Sequence, residues 1–220
     1  MSPIYFARCS QVIVGVLTGL TLILAQAAVG RAAPKYPFPQ HVTYASGTIR
    51  PNQRTQTQQD DDVRAFYDGW KTDFVLAAGT DPSGKPLYRI AFGKTDPNRE
   101  KTVSEGQGFG MLIVALMAGD DPNAQTIFDG LWRFTRAHPR CIDPRLMGWR
   151  VPEDPDGSDS AFDGDCDTAY ALLLADKQWG SAGEINYHAE AVQLITAILQ
   201  STIGPDSLLP TKGDVGSNAT

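Results

Sequence analysis

Two segments with the sequence pattern of helices are apolar on nearly every side, and this feature constrains the fold most strongly. The first spans residues 104–118 and the second residues 163–177, with an apolar stretch at 169–175. A helix without a polar face has to be covered by protein on all sides. The two segments therefore predict a pair of buried inner helices, with Met111, Leu112, Ile113, Val114, Leu116 and Met117 supplying the apolar side chains of the first.

Three further segments have the pattern of helices with a single apolar face. One opens at Asp60 and ends at Gly79, a second is capped by Asp121 and stops at Pro139, and a third covers residues 186–202. The stretch between 79 and 103 is predicted as a loop, with a short strand pair around residues 87–91. Because apolar helices alternate with one-sided ones, we predict an all-α fold in which an outer layer of helices encloses an inner layer.

The charge balance excludes one large class of partner. The chain has 220 residues, a net charge of -6 and a pI near 5.0. Such a balance offers no basic surface for a phosphate backbone, so we expect no nucleic-acid partner. The length is sufficient for one domain with a substantial core.

The N-terminal segment has the pattern of a secretory signal peptide over residues 1–27. Arg8 supplies the positive charge, residues 12–24 are apolar, and Ala25-Gln26-Ala27 offers the small residues that precede a cleavage site. An uncleaved membrane anchor is the alternative. We expect a secreted or periplasmic protein, without a membrane contact after cleavage. An extended lead-in at 28–59 and a domain at 60–220 would follow.

The cysteines leave two alternatives open. Cleavage after Ala27 would remove Cys9 and leave Cys141 and Cys166, which can pair outside the cytoplasm. The sequence does not show that they are neighbours in space, and a small buried residue would also suit position 166. No metal-ligand spacing and no cofactor motif is present, so we expect neither a metal nor a cofactor.

Two acidic clusters lie at the N-terminal ends of the two apolar helices. Residues 104–110 contain Glu105 followed by three alternating glycines, and residues 159–167 contain Asp163, Asp165 and Asp167. Glycine lowers helix propensity by about 1 kcal/mol relative to alanine, so the three glycines indicate a close approach to this backbone. The carboxylates are interpreted either as helix caps or as groups that carry chemistry.

Four stretches in succession resemble glycoside hydrolase family 8, which includes bacterial endoglucanases, lichenases, chitosanases and some xylanases. VSEGQGFGMLIVALMAGD is similar to the first motif of the family. FDGLWRFTRAH and LMGWRVPEDPDGSDSAFDGDCDTAYALLLADKQWGS are similar to the second and third, and GEINYHAEAVQLITAIL to the helix that follows. Order and separation also agree, over roughly residues 60–203, which makes the signal more specific than any single motif.

This resemblance implies an (α/α)6 toroid of six helical hairpins, of which about five helices are present here, and an inverting mechanism on a polysaccharide. It implies that Glu105 is the general acid, that Asp163 binds and distorts the sugar ring, and that Trp149 is an aromatic platform for a sugar. Asp165 and Arg150 are further candidates for the site. The complete protein is expected to be a monomer.

The sequence departs from the family pattern at three positions. Phe162 stands where Ser or Thr is usual, Phe109 replaces a usual Tyr, and Thr168 replaces a usual Ile or Met. The change at Phe162 is the most consequential of the three because it adjoins Asp163 and removes a hydroxyl group from the expected cleft.

The catalytic base expected for an inverting enzyme has no match after Asp167. With about five of twelve helices, the chain resembles the N-terminal portion of a longer enzyme, whose two apolar helices would be exposed along their sides. Two functions therefore stay open: part of a secreted endo-acting glycanase, or a non-catalytic carbohydrate-binding product. The sequence also leaves open cellulose-type glucan, mixed-linkage glucan, chitosan and xylan as substrates.

Overall fold

The computed structural model describes residues 33–153 and 159–214. The predicted signal peptide at 1–27 lies outside these residues, as do the first residues of the lead-in. In chain order the elements are α1 Gln56–Phe74, β1 Val75–Thr80, β2 Pro86–Ile90, β3 Thr102–Val103, α2 Ser104–Leu116, α3 Ala124–Ala137, β4 Arg150–Val151, α4 Phe162–Trp179 and α5 Tyr187–Ser201.

The five predicted helices are present, but the bounds of α1 differ from the prediction. Thr55 begins the helix through a capping box with Gln58, ahead of the acidic run that was predicted to open it. The helix ends at Phe74, because Val75 pairs with Ile90 in an antiparallel β1–β2 hairpin. The prediction that the helix continues to Gly79 was wrong, since strand pairing with a distant segment outweighed the local helical spacing.

Asp121 does not cap α3 as predicted. That helix begins at Ala124, with Asn123 at the N-cap position. The buried Asp121 accepts a hydrogen bond from Asn123 N at 2.8 Å through Oδ1, and through Oδ2 it accepts from the Tyr67 hydroxyl at 2.7 Å and from Lys71 Nζ at 2.8 Å. The side chain thereby ties α1 to the turn that precedes α3, a tertiary contact that no local pattern reveals.

The helices form two layers around one hydrophobic core. α2 packs side by side with α4, α3 packs against α2 and the β1–β2 hairpin, and α5 packs against α4. The fully buried side chains at the centre of the core are Met111, Val114, Phe128, Leu131 and Leu172. This arrangement confirms the predicted inner and outer helices.

The two inner helices are not covered on every side. Phe109 and Leu116 of α2 are each 56% exposed, and Tyr170 of α4 is 57% exposed. We call the surface formed by these three side chains the open face. The prediction that α2 is buried on every side was wrong, since Phe109 and Leu116 are exposed. The expectation that the two apolar helices of a partial toroid are exposed along their sides is confirmed.

Both ends of the described chain are anchored on the helices. Gln178 of α4 accepts a hydrogen bond from Tyr36 N and donates to Tyr36 O and Ala115 O, which fixes the lead-in. At the other end Phe162 N donates to Lys212 O at 3.0 Å. The described part of the tail is therefore held against the first residue of α4.

Cys141 and Cys166 are both free thiols, so the disulfide that the sequence left open does not form. Among the residues described, none of the helices is both long enough and apolar enough to cross a membrane.

Candidate active site

α2 and α4 touch at their N-terminal ends through two glycines. A Cβ at Gly108 would lie 2.7 Å from the Asp167 Cβ, and a Cβ at Gly164 would lie 2.8 Å from Glu105 N. Only residues without a side chain permit this approach. The close backbone contact expected from the glycines is therefore made by another helix, and it brings Glu105 beside the start of α4.

Three carboxylates share the surface at this junction. Glu105 is half-buried and accepts a long hydrogen bond from Ser104 Oγ at 3.4 Å, while Asp163 is exposed and accepts one from Gly164 N at 3.0 Å. Burial raises the pKa of Asp167, and the nearby negative charges of Asp163 and Glu105 raise it further. These Coulombic contacts place the three acids in one site.

Trp149 adjoins this junction through its backbone. Ser104 N donates to Trp149 O at 2.9 Å, and Trp149 N donates to Asp159 O at 2.8 Å. The residues on either side form the two-stranded β3–β4 pair, in which Val103 lies opposite Arg150. The backbone of Trp149, whose side chain is half-buried, is consequently fixed next to Ser104, the residue that precedes Glu105.

Arg150 lies against the Trp149 ring, with its guanidinium carbon 5.5 Å from the ring centroid. Its Nε donates to Pro152 O at 3.1 Å, and a terminal nitrogen donates to Glu153 O at 3.4 Å. A cation over an indole face is attractive and also holds the ring in place. Arg150 therefore supports the aromatic side chain that the sequence proposed as a sugar platform.

Asp165 belongs to a different environment from Asp163 and Asp167. Its side chain is buried, with the residue only 2% exposed, and Oδ2 has no hydrogen-bond partner. Burial raises its pKa to about 8, and the negative charges of Asp214 and Asp143 act in the same direction. The structure thus places this candidate in the interior beneath the start of α4.

Gln107 is a supporting residue whose role the sequence analysis did not identify. Its buried amide accepts a hydrogen bond from Ile90 N at 3.0 Å and donates to Leu131 O at 3.0 Å and Tyr88 O at 3.3 Å. These contacts fix α2 to both the hairpin and α3. The signal available in the sequence was a polar residue inside an otherwise apolar helix.

The three departures from the family pattern occupy different surroundings. Phe162 is half-buried and packs against the core, Thr168 is buried, and Phe109 is exposed on the open face. Phe162 therefore acts as an apolar anchor for the first turn of α4, next to the exposed Asp163.

No group of three or more His, Cys, Asp or Glu side chains within residues 33–153 and 159–214 is arranged to hold a metal ion. The site consists of carboxylates and an aromatic ring at the N-terminal ends of two inner helices. Paired carboxylates are the groups that glycoside hydrolases use to cleave a glycosidic bond.

The chain belongs to the glycosyl hydrolases family 8, whose family model matches residues 41–220. It is 44% identical over 204 residues to a β-glucanase of Niallia circulans, a match that covers 91% of this chain and 48% of the relative. It is also 44% identical over 189 residues to an endoglucanase of Bacillus sp. strain KSM-330, covering 84% of this chain and 40% of that protein.

The solved structures agree with this assignment. The apo β-1,3-1,4-glucanase of Paenibacillus sp. X4 superposes with a TM-score of 0.72 at 46% identity, over 83% of this chain and 47% of the other. A cold-adapted family 8 xylanase shares the fold at 23% identity, with a TM-score of 0.57, over 86% of this chain and 47% of the other. The chain spans about half the length of the relatives that it matches, and its five helices form that share of an (α/α)6 toroid.

Proposed function

We propose that this chain supplies the acid half of the active site of an endo-acting glycosidase that cleaves β-1,4-linked glucan, of the cellulose type or with mixed linkages. The observation that carries the proposal is the position of Glu105, half-buried at the helix junction beside Asp163 and Asp167. Two acids that flank a glycosidic bond are the general requirement for its hydrolysis.

Glu105 is proposed as the general acid that protonates the leaving glycosidic oxygen. A general acid has to give its proton to the leaving oxygen in the transition state, and a carboxyl group beside the scissile bond can do so. In an inverting mechanism a second carboxylate, about 6.5–9.5 Å from the acid, activates water on the opposite face of the sugar. We assign this base to none of the described residues.

Asp163 and Trp149 are proposed to hold the sugar. Asp163 is exposed, so its carboxylate can accept hydrogen bonds from sugar hydroxyl groups and keep the ring distorted. The Trp149 ring offers a flat apolar surface to the C–H face of a sugar. Arg150, which contacts that ring, is proposed to keep it oriented.

The names of the relatives support glucan as the substrate. The two relatives at 44% identity are a β-glucanase and an endoglucanase, and the structure at 46% identity is a β-1,3-1,4-glucanase. The xylanase at 23% identity supports the fold alone. Glucan is thus the first choice, and xylan and chitosan are the alternatives to be tested beside it. The pattern of residues 1–27 leads us to propose secretion of the protein.

The test uses a hybrid enzyme in which residues 33–214 replace the matching part of the Niallia circulans β-glucanase. Release of reducing ends is measured on mixed-linkage glucan, carboxymethyl cellulose, xylan and chitosan, and NMR of the fresh product identifies the anomer. We expect activity on the two glucans and inversion at the anomeric carbon. Faster turnover of xylan or chitosan than of the glucans would contradict the proposed substrate. A product with retained anomeric configuration would contradict the proposed mechanism.

A non-catalytic carbohydrate-binding protein is the second candidate, favoured by the half-buried Trp149 ring and the exposed Asp163 in a site to which no base is assigned. The 220-residue chain itself is titrated with cello-oligosaccharides, with Trp149→Ala as the matched variant. Binding that Trp149→Ala abolishes, together with an inactive hybrid, would favour this second function.

A further inference from the structure

Asp214 has a fully buried, hydrogen-bonded carboxylate near the candidate site, although it lies far along the chain from the site. It is 0% exposed, and its Oδ1 accepts hydrogen bonds from Arg140 Nε at 2.9 Å and from Ser160 N at 2.8 Å. Its Oδ2 accepts from Asp143 N at 3.3 Å, and its own backbone N donates to Ser160 Oγ at 3.1 Å. Asp214 thus joins three loop segments at one point.

The ion pair with Arg140 makes this junction costly to disturb. The Arg140 side chain is only 12% exposed and also reaches Asp159 Oδ1 at 3.2 Å. A buried carboxylate remains charged only when it is paired and hydrogen-bonded, and removal of one partner leaves the other charge uncompensated. The junction is therefore a specific electrostatic contact in the interior.

The backbone around Asp214 fits closely against the segment that precedes α4. A Cβ at Gly213 would lie 1.9 Å from Ser160 O, so no other residue fits there without a shift of the backbone. One residue earlier, Lys212 O accepts the hydrogen bond from Phe162 N at 3.0 Å. Residues 212–214 consequently fix residues 160–162, and the next residue is Asp163.

A series of backbone hydrogen bonds leads from this segment to the other site residues. Asp159 O accepts from Trp149 N at 2.8 Å, and Trp149 O accepts from Ser104 N at 2.9 Å. We call these two bonds, together with the bond from Ser160 N to Asp214, the hydrogen-bond ladder. It connects Asp214 to Ser160, in the segment that leads to Asp163, to Trp149 itself, and to Ser104, which precedes Glu105.

We propose that Asp214 is a positioning residue of the candidate site, which sets the places of Asp163, Trp149 and Glu105 through the hydrogen-bond ladder. The role assigned to these three residues rests on the proposed function, but the coupling between them is a property of the chain itself. Asp214 touches none of the groups proposed to contact the sugar, so it acts through Ser160 and the backbone.

The test is hydrogen exchange by NMR on the 220-residue chain with Asp214→Asn. The amides of Ser160 and Asp143 lose a charged acceptor, and we expect exchange about tenfold faster there. The proposal requires the same acceleration at the amides of Trp149 and Ser104, and a shifted indole N–H signal of Trp149. The amides of α3 and α5 should be unchanged, and the exposed Asp206→Asn is the control on the same tail.

Acceleration confined to the amides of Ser160 and Asp143, with the amides of Trp149 and Ser104 as in the wild type, would overturn the proposal.

Ser160→Ala is the second variant, for the case in which Asp214→Asn accelerates the exchange of every amide because the fold is lost. It removes the hydroxyl that accepts from Asp214 N and that also hydrogen-bonds the Asp165 carboxyl group, and it leaves the Asp214 carboxylate in place. The same changes at Trp149 and Ser104 are expected. Their absence would reject the ladder. None of these measurements needs activity, so an inactive hybrid enzyme would contradict the proposed function and leave this result standing.

Discussion

Gly164 packs directly on the peptide between Ser104 and Glu105, so that a Cβ at position 164 would come within 2.8 Å of Glu105 N. The same added carbon would lie 2.4 Å from Ser104 Oγ. This contact fixes the start of α4 against the start of α2. The relative positions of the candidate acids thus depend on the absence of one side chain.

Gly164→Ala is expected to destabilise the protein by about 1–3 kcal/mol or more, because the backbone on the other helix has to move. Gly69→Ala is the matched control. Position 69 also lies in a helix, but nothing lies within 4 Å of its added Cβ, and the exchange should stabilise by about 0.5–1 kcal/mol. Chemical denaturation of both variants measures the difference, and equal stabilities would refute the close contact.

Glu105→Gln in the hybrid enzyme is expected to lower turnover of unactivated glucan by about 10²–10⁴-fold, since glutamine cannot donate the proton. A substrate with a good leaving group needs less protonation and should be affected less. Steady-state rates on both substrates provide the measurement.

Asp163→Asn is the companion variant in the same enzyme. It should slow both substrates alike, because Asp163 is proposed to act on the sugar rather than on the leaving group. Equal losses for both substrates in Glu105→Gln would remove Glu105 from the role of acid.

Asp165 should make the stability of the chain depend on pH. Burial raises its folded-state pKa to about 8, far above the usual 3.8, so the folded state retains a proton that the unfolded state releases. This contribution to the free energy of unfolding is fully present below about pH 4 and is lost as the pH rises to 8, by at most about 1.4 kcal/mol per unit.

Asp165→Asn is the variant that tests this dependence. Thermal unfolding between pH 5 and 8.5 should show a falling Tm for the wild type and a flatter profile for Asp165→Asn, which should be the more stable of the two at pH 8. Asp206→Asn, at an exposed position, should follow the wild type. Parallel profiles for wild type and Asp165→Asn would contradict the assignment. Asp143, whose pKa is lowered to about 2 chiefly by its hydrogen bond with Arg145, titrates below this window.

Gln107→Met should destabilise the chain by about 1–3 kcal/mol. The change preserves side-chain size but leaves the buried Ile90 N without its acceptor, whereas Leu131 O keeps the hydrogen bond from the Thr135 hydroxyl. Gln193→Met on the exposed side of α5 is the control and should be nearly neutral. Urea denaturation of the two variants distinguishes them, and a neutral Gln107→Met would show that the amide contributes no net stability.

The open face should bind a hydrophobic dye in the isolated chain, because three large apolar side chains are exposed on adjacent helices. The double variant Phe109→Ser with Leu116→Gln should lower the dye fluorescence. Phe66→Ser, which removes an exposed aromatic side chain from α1, serves as the control. If the wild-type chain binds no dye and melts as a sharp monomeric transition, the open face is covered in solution.

The helical part of the fold could be predicted because its signals are local. Helical spacing, apolar content and breakers such as Pro139 indicated five helices, and the glycines after Glu105 indicated a close backbone contact. The carboxylates at the two helix starts were also visible as motifs. Their roles in chemistry stay predictions, since they depend on a substrate.

The hairpin, the tail and the supporting polar network were decided by tertiary structure alone. Val75 follows a segment with helical spacing in the sequence, but in the fold it pairs as a strand residue with Ile90, which lies fifteen residues further along the chain. Asp121 resembles a helix cap in sequence, but in the fold it precedes the N-cap residue Asn123 and also binds Tyr67 and Lys71 of α1. A local pattern records the spacing of apolar residues, whereas these contacts depend on which distant groups the fold brings together.

Asp165 and Asp214 show this difference most clearly. By itself, the sequence determined that acids cluster at the start of α4 and that the tail is polar. Only the folded chain decided that Asp163 faces solvent, that Asp165 is buried, and that Asp214 meets Arg140 and Ser160 in the interior. The physical reason is that the charge and pairing of a carboxylate depend on its solvent exposure and on its neighbours in space, and neither is encoded in its position along the chain.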